Sequence, residues 1–171
     1  MFSAAIVAAS VLSVSAADNK KAIEYYQSGF PEHAKTILFS NLAESNTNKE
    51  EAYFSLGDIY FTLDMPDSAA YYYKKGLEVN SGSVPSMIGE AKLRIKTDPK
   101  GAESVFNNLV SGKNKKNPLY YTLIGQAYLD NGDFEKAAEY AEKAKRADNK
   151  FADAYLLLGD IYAAQKIAGK A

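Results

Sequence analysis

One short residue pattern recurs along this chain at a constant spacing, and it constrains the fold more than any other feature. The pattern Tyr-x2-Ile-Gly-x2-Tyr at 121–128 returns at 155–162, displaced by 34 residues, with Leu in place of Ile. A third copy at 53–60 precedes the first by 68 residues, which is two periods. Self-similarity at a fixed period of 20–50 residues is the signature of a repeat architecture. A length of 171 residues accommodates about four to five such units.

Helical segments separated by short polar breaks fill the intervals between the copies. Ser83, Asp98 and Asn117 are each followed within two residues by proline, a combination that caps a helix and opens its first turn. Gly132, between Asn and Asp, predicts a tight turn with positive φ. The pattern from residue 50 onward predicts helices at about 50–63, 67–79, 86–96, 99–110, 118–130, 134–147 and 152–165.

Gly57, Gly125 and Gly159 fall in the middle of predicted helices, at the same position of the repeated pattern. Glycine inside a helix costs roughly 0.5–1 kcal/mol relative to alanine. A cost repeated at one position indicates a packing use, so we expect a partner helix to approach closely there. Ala137 and Ala144 are the matching small residues on the helix that follows.

The full pattern Tyr-x2-Ile-Gly-x2-Tyr-x3-Gly-x-Phe-x2-Ala-x6-Ala, from Tyr121 to Ala144, resembles the tetratricopeptide repeat. Asp64 at the turn glycine and Ala91 at the packing glycine depart from it in two other units. The resemblance implies an all-α fold: a right-handed superhelical solenoid of antiparallel helix pairs, with about four units and a truncated fifth. The expected units are about 18–49, 50–83, 84–117, 118–151 and 152–171.

The resemblance also implies a concave groove lined by fixed positions of the first helix of each unit. A strip that is apolar and edged by charges suits the binding of a peptide or a partner protein. The alternative for the apolar members is that further helices cover them. By position in the repeat, the candidate groove residues are Phe54, Asp58, Phe61, Ile88, Lys92, Ile95, Thr122, Gln126, Leu129, Leu156 and Asp160. The same positions also include Glu51, Thr62, Lys96, Leu119, Asp130 and Asp153.

Nothing in the sequence predicts catalysis, a metal or a cofactor. The chain has no Cys and one His, His33, which is too few for the usual zinc ligand sets. The carboxylates are scattered, without an evident acid and base pair. The consecutive Tyr71, Tyr72 and Tyr73 point about 100° apart on a helix and cannot form one stacking platform. We therefore expect a non-enzymatic interaction scaffold.

Charge excludes one class of partner and leaves others open. A net charge of −1 and a pI near 5.9 argue against nucleic-acid binding. Some members of the resembled family bind a C-terminal carboxylate through Lys and Asn at set groove positions. Asp58 and Gln126 occupy corresponding positions here, so this kind of binding is not expected.

The last unit lacks the polar outer surface that terminal repeats need. Ile161, Tyr162 and Ile167 lack such a surface, which predicts self-association through this unit.

Residues 3–17 carry no charge, and this predicts a targeting segment. The run is shorter than the roughly 20 residues of a spanning helix, and it matches the apolar region of a secretory signal, with Val14-Ser15-Ala16 as the cleavage site. It lacks a basic start, so the alternative is a first helix of the array. Export predicts a periplasmic or envelope-associated bacterial protein, with the cytoplasm as the alternative. The second functional hypothesis is a structural spacer or assembly subunit of a larger bacterial envelope complex.

Overall fold

The computed structural model describes residues 17–169, with side chains from Asn19 onward, as two compact units that divide between Asn48 and Lys49. Every regular element in these residues is helical, which confirms the predicted all-α class. The predicted signal-like segment 1–17 lies, except for Ala17, outside the described residues. Between residues 17 and 169, no helix combines the length and apolar character needed to cross a membrane.

The first unit is a helix pair formed by α1 (Ala17–Gln27) and α2 (Pro31–Leu42). Gly29, with φ of +83°, supplies the left-handed turn between them. Ala34 and Leu38 of α2 are fully buried. The buried side-chain amides of Asn19 and Asn41 hydrogen-bond each other at 2.8 Å, so a polar contact inside this pair is satisfied.

The second unit stacks helix pairs in a regular order. The first helices α3, α5, α7 and α9 each contact the next one along the chain, and α4 and α8 pack as second helices on α3 and α7. This is the arrangement that a repeat array requires. The helices of this unit are α3 (Lys49–Thr62), α4 (Pro66–Val79), α5 (Val84–Lys92), α6 (Pro99–Leu109), α7 (Pro118–Asp130), α8 (Phe134–Ala147) and α9 (Ala152–Ala168), with a short 3-10 turn at Gly112–Asn114.

The predicted caps and turn are confirmed. The Ser83 hydroxyl accepts from the Ser86 N–H at 3.3 Å and starts α5. Carboxylate and amide oxygens of Asp98 and Asn117 likewise accept backbone N–H groups at 3.0 Å and start α6 and α7. Gly132 has φ of +82°. Local chemistry therefore sets where these helices begin.

The end of α5 was predicted wrongly. The helix stops at Lys92 rather than at residue 96, and the backbone continues in tighter turns. Arg94 and Ile95 donate to carbonyl oxygens three residues back, at 3.0 and 3.3 Å. The Asn131 side chain donates to the Lys92 carbonyl at 3.2 Å and satisfies a group at the helix end. Ile95 is thereby buried in the core around Phe106.

Close approach at the packing glycines is confirmed for Gly57 and Gly125 but not for Gly159, whose Cβ position has no described neighbour within 4 Å. A Cβ added at Gly57 would overlap the Tyr73 ring of α4, and one at Gly125 would lie 2.7 Å from the Leu157 side chain. Gly89 has the same role on α5, because a Cβ there would also overlap the Tyr73 ring. The unit that lacks a glycine at the usual position, where Ala91 stands, thus places one two residues earlier.

Candidate functional site

Equivalent positions of the four first helices carry polar side chains that form a row. Asp58, Lys92, Gln126 and Asp160 are spaced by 34 residues each, on α3, α5, α7 and α9. Lys92 Nζ lies 2.9 Å from Asp58 Oδ1 and 2.5 Å from Oδ2 of Asp130, one turn beyond Gln126. Asp58, Lys92 and Asp130, hereafter the Lys92 cluster, therefore connect three first helices through one side chain.

Lys92 is buried, with 3% of its side chain exposed. Burial disfavours the charged amine and lowers its pKa, but the two carboxylates of Asp58 and Asp130 outweigh this, and the net pKa is raised. The ammonium group also lies 4.4 Å from the centre of the Phe61 ring, which favours the cation. The partners of Lys92 therefore favour its charged form inside the protein.

Further hydrogen bonds orient both carboxylates of the Lys92 cluster. The Tyr73 hydroxyl, from α4, donates to Asp58 Oδ1 at 2.7 Å. Gln126 Nε2 donates to Asp130 Oδ1, also at 2.7 Å. These bonds satisfy acceptors beside a buried charge. The Lys92 cluster and its hydrogen bonds therefore connect α3, α4, α5 and α7.

Little free space remains beside the Lys92 cluster. The cavity lined by Phe54, Asp58, Ile88 and Lys92 has a volume of about 10 Å³. One water molecule needs at least about that much. A side chain of a partner cannot enter there without displacing the residues that line the cavity.

The candidate groove residues divide into three classes of exposure, and this corrects part of the prediction. Ile88, Lys92 and Ile95 are buried, so they do not form an open apolar strip. Neighbouring helices of the described chain flank these residues, because α5 lies between α3 and α7. The half-buried residues are Phe54, Asp58, Phe61, Thr122, Gln126 and Leu129, and the exposed ones are Leu156 and Asp160.

The open part of the predicted groove lies on α7 and α9. Leu156 is 64% exposed and Leu119, at the start of α7, is 41% exposed. Asp153 and Asp160 on α9 are exposed as well. The Thr122 hydroxyl donates to the Pro118 carbonyl at 3.0 Å and is thus engaged within its own helix. The accessible surface is apolar with acidic edges.

Two residues of this arrangement were missed by reasoning on the sequence. The contact of the Tyr73 hydroxyl with Asp58 and the bond of the Asn131 amide to α5 were not expected. The ion pair between Asp58 and Lys92 could have been predicted from the sequence. Asp58 and Lys92 have opposite charges at one repeat spacing, which places them opposite each other on adjacent first helices.

The other polar and aromatic candidates behave as expected for scaffold positions. His33 is exposed on α2 and its ring lies 5.9 Å from that of Tyr25. Tyr73 is fully buried, Tyr72 is half-buried and Tyr71 is exposed, so the three do not form one platform. Among the residues from 17 to 169, no group of three or more acidic or histidine side chains is arranged to hold a metal ion.

Family comparisons agree with this geometry. Two models described as tetratricopeptide repeats match the chain, one over residues 122–171 and one over 50–82. The second match covers α3 and α4, and the first covers most of α7 together with α8 and α9. No curated protein matches the chain.

Solved structures resemble this chain at low sequence identity. A structure reported in a functional characterization of Pseudomonas aeruginosa PilF matches with a TM-score of 0.55 at 19% identity, over 88% of this chain and 68% of that one. A double mutant of MamA from RS-1 matches at 0.47 and 18% identity, over 91% and 97% of the two chains. Another crystal structure of MamA matches at 0.44 and 17%, over 88% and 97%. At such identities the likeness concerns the fold alone.

Proposed function

We propose that this chain, which belongs to the tetratricopeptide-repeat family, is a non-enzymatic scaffold that binds a peptide segment or partner protein on the groove side of its first helices. The observation that carries the proposal is the contrast within this groove. Its centre is fixed by the Lys92 cluster, and its α7–α9 part exposes leucines beside carboxylates. A rigid frame with an exposed apolar patch limits the entropy lost on binding.

The binding surface belongs at the α7–α9 part rather than at Lys92. The space beside Lys92 is about 10 Å³, which excludes a partner side chain. Leu119 and Leu156 are exposed apolar residues, 41% and 64% accessible, so burying the rest of each on association contributes a part of the about 1.5–3 kcal/mol of full leucine burial. Asp153 and Asp160 at the edges would select against acidic partners.

Quantitative affinity capture with the full-length protein tests this proposal. The double variant Leu119→Ser and Leu156→Ser should lose the partners that the unmodified protein retains, while circular dichroism remains unchanged. Val79→Ser is the matched control, because Val79 is 52% exposed on α4 and its loss should leave capture intact. Equal capture by all three proteins would exclude this part of the groove as the binding surface.

Export to the periplasm or cell envelope of a bacterium is part of the same proposal. It is supported by the uncharged run at 3–17 and the small residues before Asp18. Sequencing the N-terminus of protein purified from cells tests it, with a start near Ala17 expected. A retained Met1 in folded protein would indicate the cytoplasmic alternative.

A further inference from the structure

The turn between α7 and α8 contains the single Asn-Gly pair of the sequence, Asn131-Gly132. Gly132 has φ of +82° and donates its N–H to the Leu129 carbonyl at 2.9 Å. The next N–H, that of Asp133, donates to the Tyr128 carbonyl at 3.0 Å. These two bonds close the end of α7 in the way that is common for helices followed by a left-handed residue.

The Asn131 side chain joins two helices through its amide. Its Nδ2 donates to the carbonyl of Lys92, at the end of α5, at 3.2 Å, and to that of Ala127 in α7 at 2.9 Å. The equivalent turn at Asp64 closes with the same pattern of backbone bonds and has Leu63 before the left-handed residue. The turn itself therefore does not need asparagine, and the contact between α5 and α7 depends on its two N–H donors.

We propose that Asn131 is a site of spontaneous deamidation and that the folded turn controls when it is modified. In this reaction the Gly132 backbone nitrogen bonds to Cγ of Asn131, the Cγ–Nδ2 bond breaks, and ammonia leaves with the proton of the Gly132 N–H. Water then opens the cyclic imide at either carbonyl and gives aspartate or isoaspartate, so water is the one reactant consumed. Glycine favours ring closure because it has no Cβ to hinder its nitrogen.

The folded turn holds Asn131 away from the geometry that the ring requires. Ring closure aligns the Cα–Cβ bond with the bond to the Gly132 nitrogen, which needs ψ of Asn131 near about −120° at a tetrahedral Cα. In the structure this ψ is −2°. The attacking N–H is bonded to Leu129 and the leaving amide to two carbonyls. The turn must open before the reaction, so the rate follows the fraction of open molecules.

The Lys92 cluster holds this turn closed at two points. The Lys92 carbonyl accepts from the Asn131 amide, and the Lys92 ammonium group is paired with Asp130, which immediately precedes Asn131. Both interactions join α5 to the end of α7. Loss of the ion pair should therefore raise the fraction of molecules in which the turn is open, and with it the rate of deamidation.

The product of the reaction cannot restore the closed turn. A carboxylate at residue 131 would face the carbonyl oxygens of Lys92 and Ala127, which would lose their donors. It would also add a negative charge between Asp130 and Asp133, at the C-terminal end of α7, where the helix dipole disfavours one. Refolding does not reverse the hydrolysis, so a molecule that has reacted stays altered.

Peptide mapping by mass spectrometry, with detection of isoaspartate, tests the proposal on the full chain. The protein is incubated in mildly alkaline buffer, folded and in urea, and the gain of about 1 Da at residue 131 is followed over time. Folding should slow this conversion at least about tenfold. Ser111→Asn is the reference, because it places a second Asn-Gly pair before Gly112 in an exposed loop. Folding should slow conversion there by no more than about threefold.

Two variants test the control by the Lys92 cluster. Lys92→Met should speed conversion at residue 131 of the folded protein at least about threefold, without changing the rate at residue 111 of the reference. Asp58→Asn, which removes one partner of Lys92 and leaves Asp130, is the milder variant and should give a smaller increase. Unchanged rates in both variants would overturn this control. Equal rates at residue 131 in folded protein and in urea would overturn the protection, and no conversion in urea would overturn the site.

The effect of the product is tested with Asn131→Asp. Asn149→Asp is the matched control, because Asn149 also follows an aspartate at the end of a helix but is exposed. Asn131→Asp should lower the urea midpoint, and Asn149→Asp should lower it clearly less. Equal midpoints for the two variants would show that the product restores the closed turn and would overturn that part of the proposal.

Discussion

Gly57 and Gly159 occupy the same position of the repeated pattern, and their surroundings are opposite. Above Gly57 lies the Tyr73 ring, whose hydroxyl also bonds Asp58 of the Lys92 cluster. Above Gly159 there is no described neighbour. The repeated pattern therefore encodes a surface that can receive a side chain, and the helix that lies on it decides whether the surface is closed.

The largest loss of stability is expected at Lys92, the buried charge near Gly57. Lys92→Met removes the cation between Asp58 and Asp130 and leaves two carboxylates without it, at a cost of about 3–5 kcal/mol in the free energy of unfolding. Because the folded pKa of Lys92 is raised above its ordinary value, the lysine is charged in both states below about pH 10, and the loss should be constant through neutral pH. Urea denaturation measures it.

A triple variant provides the control for that loss. Replacing Lys92 by Met together with Asp58→Asn and Asp130→Asn removes the charges as a set, so much of the stability should return. A Lys92→Met protein that loses less than about 1 kcal/mol would show that the cluster is solvated in solution.

The second prediction compares the two glycines directly. Gly57→Ala places a methyl group against the Tyr73 ring, which is fully buried and bonded to Asp58, so the ring cannot move freely. Overpacking of this kind costs about 1–3 kcal/mol. Thermal and urea unfolding should show a lower stability, and a double variant with Tyr73→Phe should recover part of it, since the ring is then released from Asp58. A gain in stability from Gly57→Ala would contradict the packing role.

The packing positions were predictable because each depends on a local rule. A glycine at one phase of a helix predicts a close neighbour, which is found at Gly57 and Gly125 but not at Gly159. The caps at Ser83, Asp98 and Asn117 depend on residues one to three positions away. These features are repeated or short-range, so the sequence alone contains them.

The exposure of the groove was less predictable. Phase gives the direction of Ile88 on α5, but its burial depends on how closely α3 and α7 approach, which no local pattern states. Ile95 lies beyond the end of α5, so helical phase does not give its direction. Lys92 at a groove position is ordinarily solvated, and its burial required carboxylates contributed by two other units. Side chains that are 34 and 38 residues away decided its surroundings.

The third prediction concerns Gly159, where a substitution by alanine should raise the stability instead of lowering it. Gly159→Ala adds a methyl group where nothing lies within 4 Å, so the helix propensity of alanine should be gained without strain. The expected increase is about 0.5–1 kcal/mol in the free energy of unfolding. The measurement belongs at low protein concentration, where association does not contribute. A decrease there would show that a neighbour occupies this space in the monomer.

The smallest loss of stability is expected at a partly exposed ion pair. It tests whether burial or contact distance causes the loss expected at Lys92. Lys136 Nζ lies 2.9 Å from Glu103 Oε2, the same separation as between Lys92 and Asp58, but both of these side chains are partly exposed, at 32% and 45%. Water screens such a pair, so Lys136→Met should change the free energy of unfolding by only about 0–1 kcal/mol. Urea denaturation of this variant beside Lys92→Met compares a partly exposed lysine with a buried one that has a contact of the same length to Asp58 and a second partner in Asp130. A loss at Lys136 as large as that at Lys92 would mean that contact distance, rather than desolvation of the charge, sets the cost in this fold.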